Sequence, residues 1–135
     1  EPLTIDEETI ARYALTAEDA ARLRRIVRRC NTEIVAELRG QYERLAAIDG
    51  LRIYGTAPGK CAIVSFNVEG VHPYDMGMIL DKLGIAVRTG QHCAEPVMDH
   101  YATTGMCRAS FALYNTQAEA DALADGVERA VRMLR

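Results

Sequence analysis

The chain has 135 residues, 49% of them hydrophobic, and a formal net charge of −3 at pH 7. That length fits one compact domain able to bury a core, and the apolar share excludes disorder over most of the chain. The charge argues against nucleic acid as a partner, since phosphate binding needs a concentrated basic face, and no window approaches the ~20 continuous apolar residues of a membrane span.

The N-terminal "EPLTIDEETI" is acidic and lacks the basic start and apolar stretch of a secretion signal, so a cytoplasmic location is expected. Cys30, Cys61, Cys93 and Cys107 would then be reduced thiols. Thr4 and Glu7 have capping-box spacing and predict a short helix near Ile5 to Ala14; Thr16 with Asp19 predicts a second start. From there Leu23, Ile26, Val27, Cys30, Ile34, Leu38, Tyr42, Leu45 and Ile48 keep helical spacing, with Arg22, Arg25, Arg29, Glu33 and Glu37 between them. One helix from Ala17 to Ile48 would be roughly 48 Å long, against a radius of gyration of about 14 Å for a domain of this size. It must bend, with Gly40 the expected place, or project toward a partner domain or subunit.

Asp49-Gly50 stops the helix, "LRIYG" reads as a short strand, and Pro58-Gly59 as a turn. "CAIVSFNV", Cys61 to Val68, is rich in β-branched and aromatic residues and predicts a strand. "VHPYDMGMILDKLG" predicts a helix, with Pro73 at its first position and Gly84 at its stop. "IAVRT" reads as a strand, "QHCAEP" as a loop, "VMDHYAT" as one or two helical turns and "MCRASFALY" as a further strand. Asn115-Thr116 then caps a final helix. The expected fold is an α/β (α+β) two-layer sandwich: a small mixed or antiparallel sheet with helices on one face and a long N-terminal helix. The expected division is an N-terminal helical segment, 1–48, and a small α/β domain, 49–135.

Three cysteines read as small buried hydrophobes: Cys30 on the helical stripe, Cys61 and Cys107 in strands. Cys93 differs, lying on a loop between Gly90 and Pro96, where functional groups concentrate. A reactive sulfur must be a thiolate, which nearby cations such as Arg88 or a protonated His92 would favour. His92, Cys93, His100 and Cys107 could nominally form a metal site, but they lack the paired C-x-x-C or H-x₃₋₅-H spacing of zinc sites, and no metal is expected. Arg108 stands in the otherwise apolar "CRASFAL". Two readings remain open: a guanidinium placed for bidentate capture of a carboxylate, or the wet side of an alternating strand with Cys107 inward.

"RTGQHCAEP" followed by "CRASFALYNT", within the stretch from about Leu51 to the C-terminus, closely resembles the end of Suf-type pyridoxal-phosphate cysteine desulfurases. These are fold-type I enzymes of the class V aminotransferase superfamily. Relatives often have two histidines before the cysteine; here Gln91 takes the first place. The resemblance implies that Cys93 is the nucleophile and persulfide carrier, that Arg108 holds the substrate carboxylate, and that Arg88, Gln91 and His92 belong to the active-site loop. It implies L-cysteine as substrate, alanine as product, a Suf sulfur-acceptor protein as partner, a role in iron–sulfur cluster assembly, and a homodimer. It also implies pyridoxal phosphate, held by a lysine in a larger domain. Lys60 and Lys82, the only lysines, lack that context, so this chain is expected to hold no cofactor and to be inactive alone. A selenocysteine lyase domain and a standalone persulfide-carrier or interaction module are the alternatives.

Overall fold

Four short strands form the frame: β1 (Leu51–Tyr54), β2 (Ile63–Val68), β3 (Arg88–Gly90) and β4 (Met106–Ser110). They hydrogen-bond in the order β1-β2-β4-β3, every pair antiparallel. The structure, a computed structural model, describes residues 6–29, 36, 38–57, 61–112 and 114–135.

Successive side chains of a strand point to opposite faces, so the register sorts the sheet into two surfaces. Ile53 faces Phe66, Phe66 faces Cys107, and Cys107 faces Thr89 across the sheet. The alternate row runs Tyr54, Ser65, Arg108, Arg88. The first surface is apolar and is covered by α3 (Arg39–Ala46), α4 (Pro73–Lys82) and α6 (Gln117–Leu134). Leu45, Met76, Leu80, Leu123 and Val127 from these helices join Val64, Phe66, Val68 and Cys107 in one core cluster. Each large side chain sealed there contributes on the order of 1.5–3 kcal/mol.

Local chemistry sets the helix starts. Thr116 and Glu119 bond reciprocally at the start of α6, with the Thr116 N–H donating to Glu119 at 2.7 Å. His72 Nδ1 accepts from the Tyr74 N–H at 3.2 Å to cap α4, and Pro73 occupies the first turn where no N–H is needed. α1 (Glu7–Arg12) is capped by Asp6, the predicted Thr4 lying outside the described residues. α2 (Ala17–Arg28) is capped by Thr16, which accepts from the Asp19 N–H at 3.1 Å.

Within the run read as one helix over Ala17–Ile48, the described residues include α2, a helical Ala36 and α3, with Leu38 in a turn at the N-cap position of α3 and no side-chain capping bond there. Gly40 therefore falls in the first turn of a new helix; Cys30 and Ile34 lie outside the described residues. α3 lies along α6, where Gln41 donates to Asp121 at 2.8 Å and Arg44 to Asp125 at 2.7 Å and Glu128 at 3.0 Å.

Other boundaries move for tertiary reasons. β3 begins at Arg88 rather than Ile85, because the Ile85 N–H bonds back to Leu80 and Ile85 and Val87 pack against the core before the chain reaches β4. β4 stops at Ser110, and the Ala112 N–H donates to the Asn115 side chain at 2.8 Å to make a turn. Cys61 is exposed, not buried as expected, since it precedes the strand that starts at Ile63. Not all helices share one face: α5 (Glu95–Tyr101) lies across the second surface, where Met98 and Tyr101 pack with Tyr54 and Met106. No described helix is long and apolar enough to cross a membrane.

Candidate active site

The second surface of the sheet and the turn from β3 into α5 form the site. After Gly90 the chain makes a tight turn in which the Ala94 N–H donates to the Gln91 carbonyl at 3.0 Å. His92 (φ +58°) and Cys93 (φ +57°) both adopt the left-handed conformation, which costs an L-residue roughly 1–2 kcal/mol each. Two such residues in succession persist only where the surroundings hold them. The consequence is that the Cys93 thiol is exposed, at the edge of an open cleft of about 540 Å³ whose walls include Arg88, Gln91, His92 and Glu95.

His92 is fastened inward. Its Nε2 lies 3.1 Å from the Met106 carbonyl, so this nitrogen carries the proton and donates. Its Nδ1 is buried without a hydrogen-bond partner among the described residues. Burial, aided by the nearby Arg108 and Arg88 charges and opposed by the bond to Met106, holds the ring below the usual histidine range. Of the two cations that could favour a thiolate, Arg88 or a protonated His92, the second is disfavoured: a desolvated ring near two guanidinium charges favours the neutral imidazole.

Arg88 and Arg108 are directly opposed on β3 and β4. Neither has an ion-pair partner among the described residues, and Arg108 Nε is buried without a hydrogen-bond acceptor. Like charges across a strand pair repel, so this face is preset to receive an anion. Cys107 points the other way, buried in the core with its thiol donating to the Pro73 carbonyl at 3.1 Å, and burial pushes its pKa up to about 12. The nominal metal quartet is thereby divided between the two faces of the sheet, and no cluster of three or more metal-binding side chains occurs among the described residues.

The structure thus brings Arg88, Gln91, His92 and Cys93 to one cleft, with Arg108 on the adjoining strand. Sequence reasoning missed Asn67, whose amide reaches from β2 to the segment before β4. An amide inside the apolar run "IVSFNV" was the available signal, of the same kind that singled out Arg108.

The profile of the family described as aminotransferase class-V matches residues 25–123. A probable cysteine desulfurase of Xylella fastidiosa (strain Temecula1 / ATCC 700964) is 52% identical over 88 residues, 65% of this chain and 20% of that protein. Among solved structures, the apo cysteine desulfurase of Thermococcus onnurineus NA1 aligns with a TM-score of 0.75 and 33% identity, over 85% of this chain and 29% of that one. The S-sulfonic acid form of the Escherichia coli cysteine desulfurase CsdA aligns with a TM-score of 0.68 and 31% identity, over 94% of this chain and 29% of that one. The chain spans about a fifth of the length of the curated relatives it matches.

Proposed function

Since the chain belongs to the aminotransferase class-V family, we propose that it is the small C-terminal domain of a Suf-type cysteine desulfurase of fold type I, with Cys93 as nucleophile. The observation that carries this reading is the exposed Cys93 thiol, held on a left-handed turn beside a cross-strand pair of arginines that have no ion-pair partner among the described residues. A nucleophile for sulfur transfer needs an accessible sulfur that can reach a bound substrate and later meet an acceptor.

In this reading the Cys93 thiolate attacks the sulfur of L-cysteine. The new sulfur–sulfur bond forms as the carbon–sulfur bond breaks, and the electron pair stays with the carbon fragment, which takes a proton and leaves as alanine. Arg108 holds the substrate carboxylate through two parallel N–H···O bonds, and Arg88 adds positive charge at the same end. His92, its ring held below the usual histidine range by burial, holds the turn through its bond to the Met106 carbonyl; Gln91 lines the cleft.

Pyridoxal phosphate, the cofactor this family implies, does not fit the residues described. Lys82 lies on the exposed last turn of α4 and does not line the cleft; Lys60 lies outside the described residues. The cofactor, its lysine and its phosphate site are assigned to a separate large domain, and residues 1–48 to a segment linking that domain to 49–135. A homodimer, a Suf sulfur acceptor, iron–sulfur cluster assembly and a cytoplasmic setting belong to the same proposal, as does inactivity of this chain alone.

The test is to incubate the chain with L-cysteine and an active cysteine desulfurase and to map added sulfur by mass spectrometry. Sulfur on Cys93, but not on exposed Cys61 or buried Cys107, is expected. No added sulfur at Cys93 overturns the reading.

A further inference from the structure

Asn67 lies on the second surface of the sheet, in a strand whose other side chains are mostly apolar. Its Nδ2 donates to the Gly105 carbonyl at 2.8 Å and to Thr103 Oγ1 at 3.1 Å, with the Tyr54 hydroxyl oxygen at 3.4 Å. The Thr103 hydroxyl donates to the same Gly105 carbonyl at 2.9 Å. Asn67 Oδ1 is buried with no hydrogen-bond partner among the described residues. A buried amide that leaves its oxygen unsatisfied is oriented for its N–H groups.

Those N–H groups hold a segment from which the thiol turn is hung. Gly105 lies against Gly90: a Cβ at position 105 would stand 3.2 Å from the Gly90 Cα and carbonyl carbon. Gly90 ends β3, immediately before the turn. Met106, next after Gly105, offers the carbonyl that His92 Nε2 binds. Both supports of the turn therefore come from Gly105 and Met106, and the amide that fixes them comes from a different strand.

We propose that Asn67 is a positioning residue for Cys93: by pinning Thr103 and Gly105 it keeps Met106 and Gly90 where they hold His92 and Cys93 in their left-handed pair. This rests on the reading of Cys93 as the reacting thiol, but its geometry is measurable without any sulfur transfer.

The test is amide hydrogen exchange on the whole chain, wild type against Asn67→Ala. Two amides decide it. The Ala94 N–H closes the thiol turn on Gln91, while the Phe111 N–H bonds Ala62 elsewhere on the sheet. Exchange at Ala94 is expected to accelerate about tenfold, with Phe111 unchanged, because the turn opens locally. Asn67→Asp, which cannot donate to a carbonyl, should behave like the alanine variant. Equal acceleration at both amides means a general loss of stability and overturns the proposal, as does no change at Ala94. If Asn67→Ala does not fold, Thr103→Val decides the question from the same two amides. Failure of wild-type Cys93 to take up sulfur, with the Ala94 effect present, would remove the proposed function and leave the positioning role standing.

Discussion

On one face of the sheet Cys107 is sealed against three helices; beyond the edge of the other, Cys93 stands in solvent on a strained turn. The helix-covered face is continuous hydrocarbon, and its thiol has been pushed toward permanent protonation. The other face, crossed by α5, carries Arg88, Arg108 and Asn67, and Arg108 Nε and Asn67 Oδ1 are buried there without a hydrogen-bond partner among the described residues. The difference teaches that the same side chain becomes packing or chemistry according to which surface receives it. Stability accumulates on the dry face, so the other face can carry like charges, orphaned polar atoms and left-handed residues.

The sharpest way to break this contrast is to exchange the roles of the two cysteines. Cys93→Ser should abolish sulfur loading from an active desulfurase entirely, whereas Cys107→Ala should keep loading and lower the denaturant midpoint. Loading that survives Cys93→Ser would show that the second surface is not where sulfur lands. The stability half of the contrast comes next. Phe66, fully buried at the centre of the core, should cost about 3–5 kcal/mol when changed to Ala. Arg108→Ala should cost less than about 0.5 kcal/mol in the same urea titration, since it removes a charge facing another arginine.

A smaller effect tests how the two faces are coupled. A Cβ on Gly77 of α4 would come 2.5 Å from Thr89 Cγ2 on β3. Gly77→Ala should therefore push β3 outward and cost about 1–3 kcal/mol, with NMR shifts moving along Arg88 to Cys93 but not along β1.

The most modest prediction uses pH. Cys107 is raised in the fold from 9.0 to about 12, so its contribution is full below pH 9 and declines between 9 and 12 as the unfolded thiol ionises first. His92 is lowered from 6.5, so the neutral ring stabilises the fold above that value. Stability is lost as pH falls below 6.5, where the unfolded histidine takes a proton that the folded one resists. Midpoints measured across pH should show both slopes, with Cys107→Ala flattening the alkaline one and His92→Asn the acidic one.

Much of this was legible in the residues. Thr16, Pro73 and Asn115-Thr116 announced their helices, because a cap acts through hydrogen bonds spanning a single turn. The β-branched and aromatic content of "CAIVSFNV" announced a strand, and Gly90, Cys93 and Pro96 announced a turn bearing a thiol. The exposure of Cys61 was less accessible, because the strand's start depends on where β4 pairs with it. The displacement of β3 was hidden as well, because Ile85 is drawn into a core assembled from distant helices.

The order of elements, their caps, the apolar stripes and the single thiol set on a turn were determined by the sequence alone, since each depends on near neighbours along the chain. Only the tertiary structure decided that Arg88 meets Arg108, that burial pushes the His92 ring below the usual histidine range, and that Asn67 reaches the segment from which the turn hangs. Strand register and desolvation arise between residues far apart in the chain, and no local pattern encodes them.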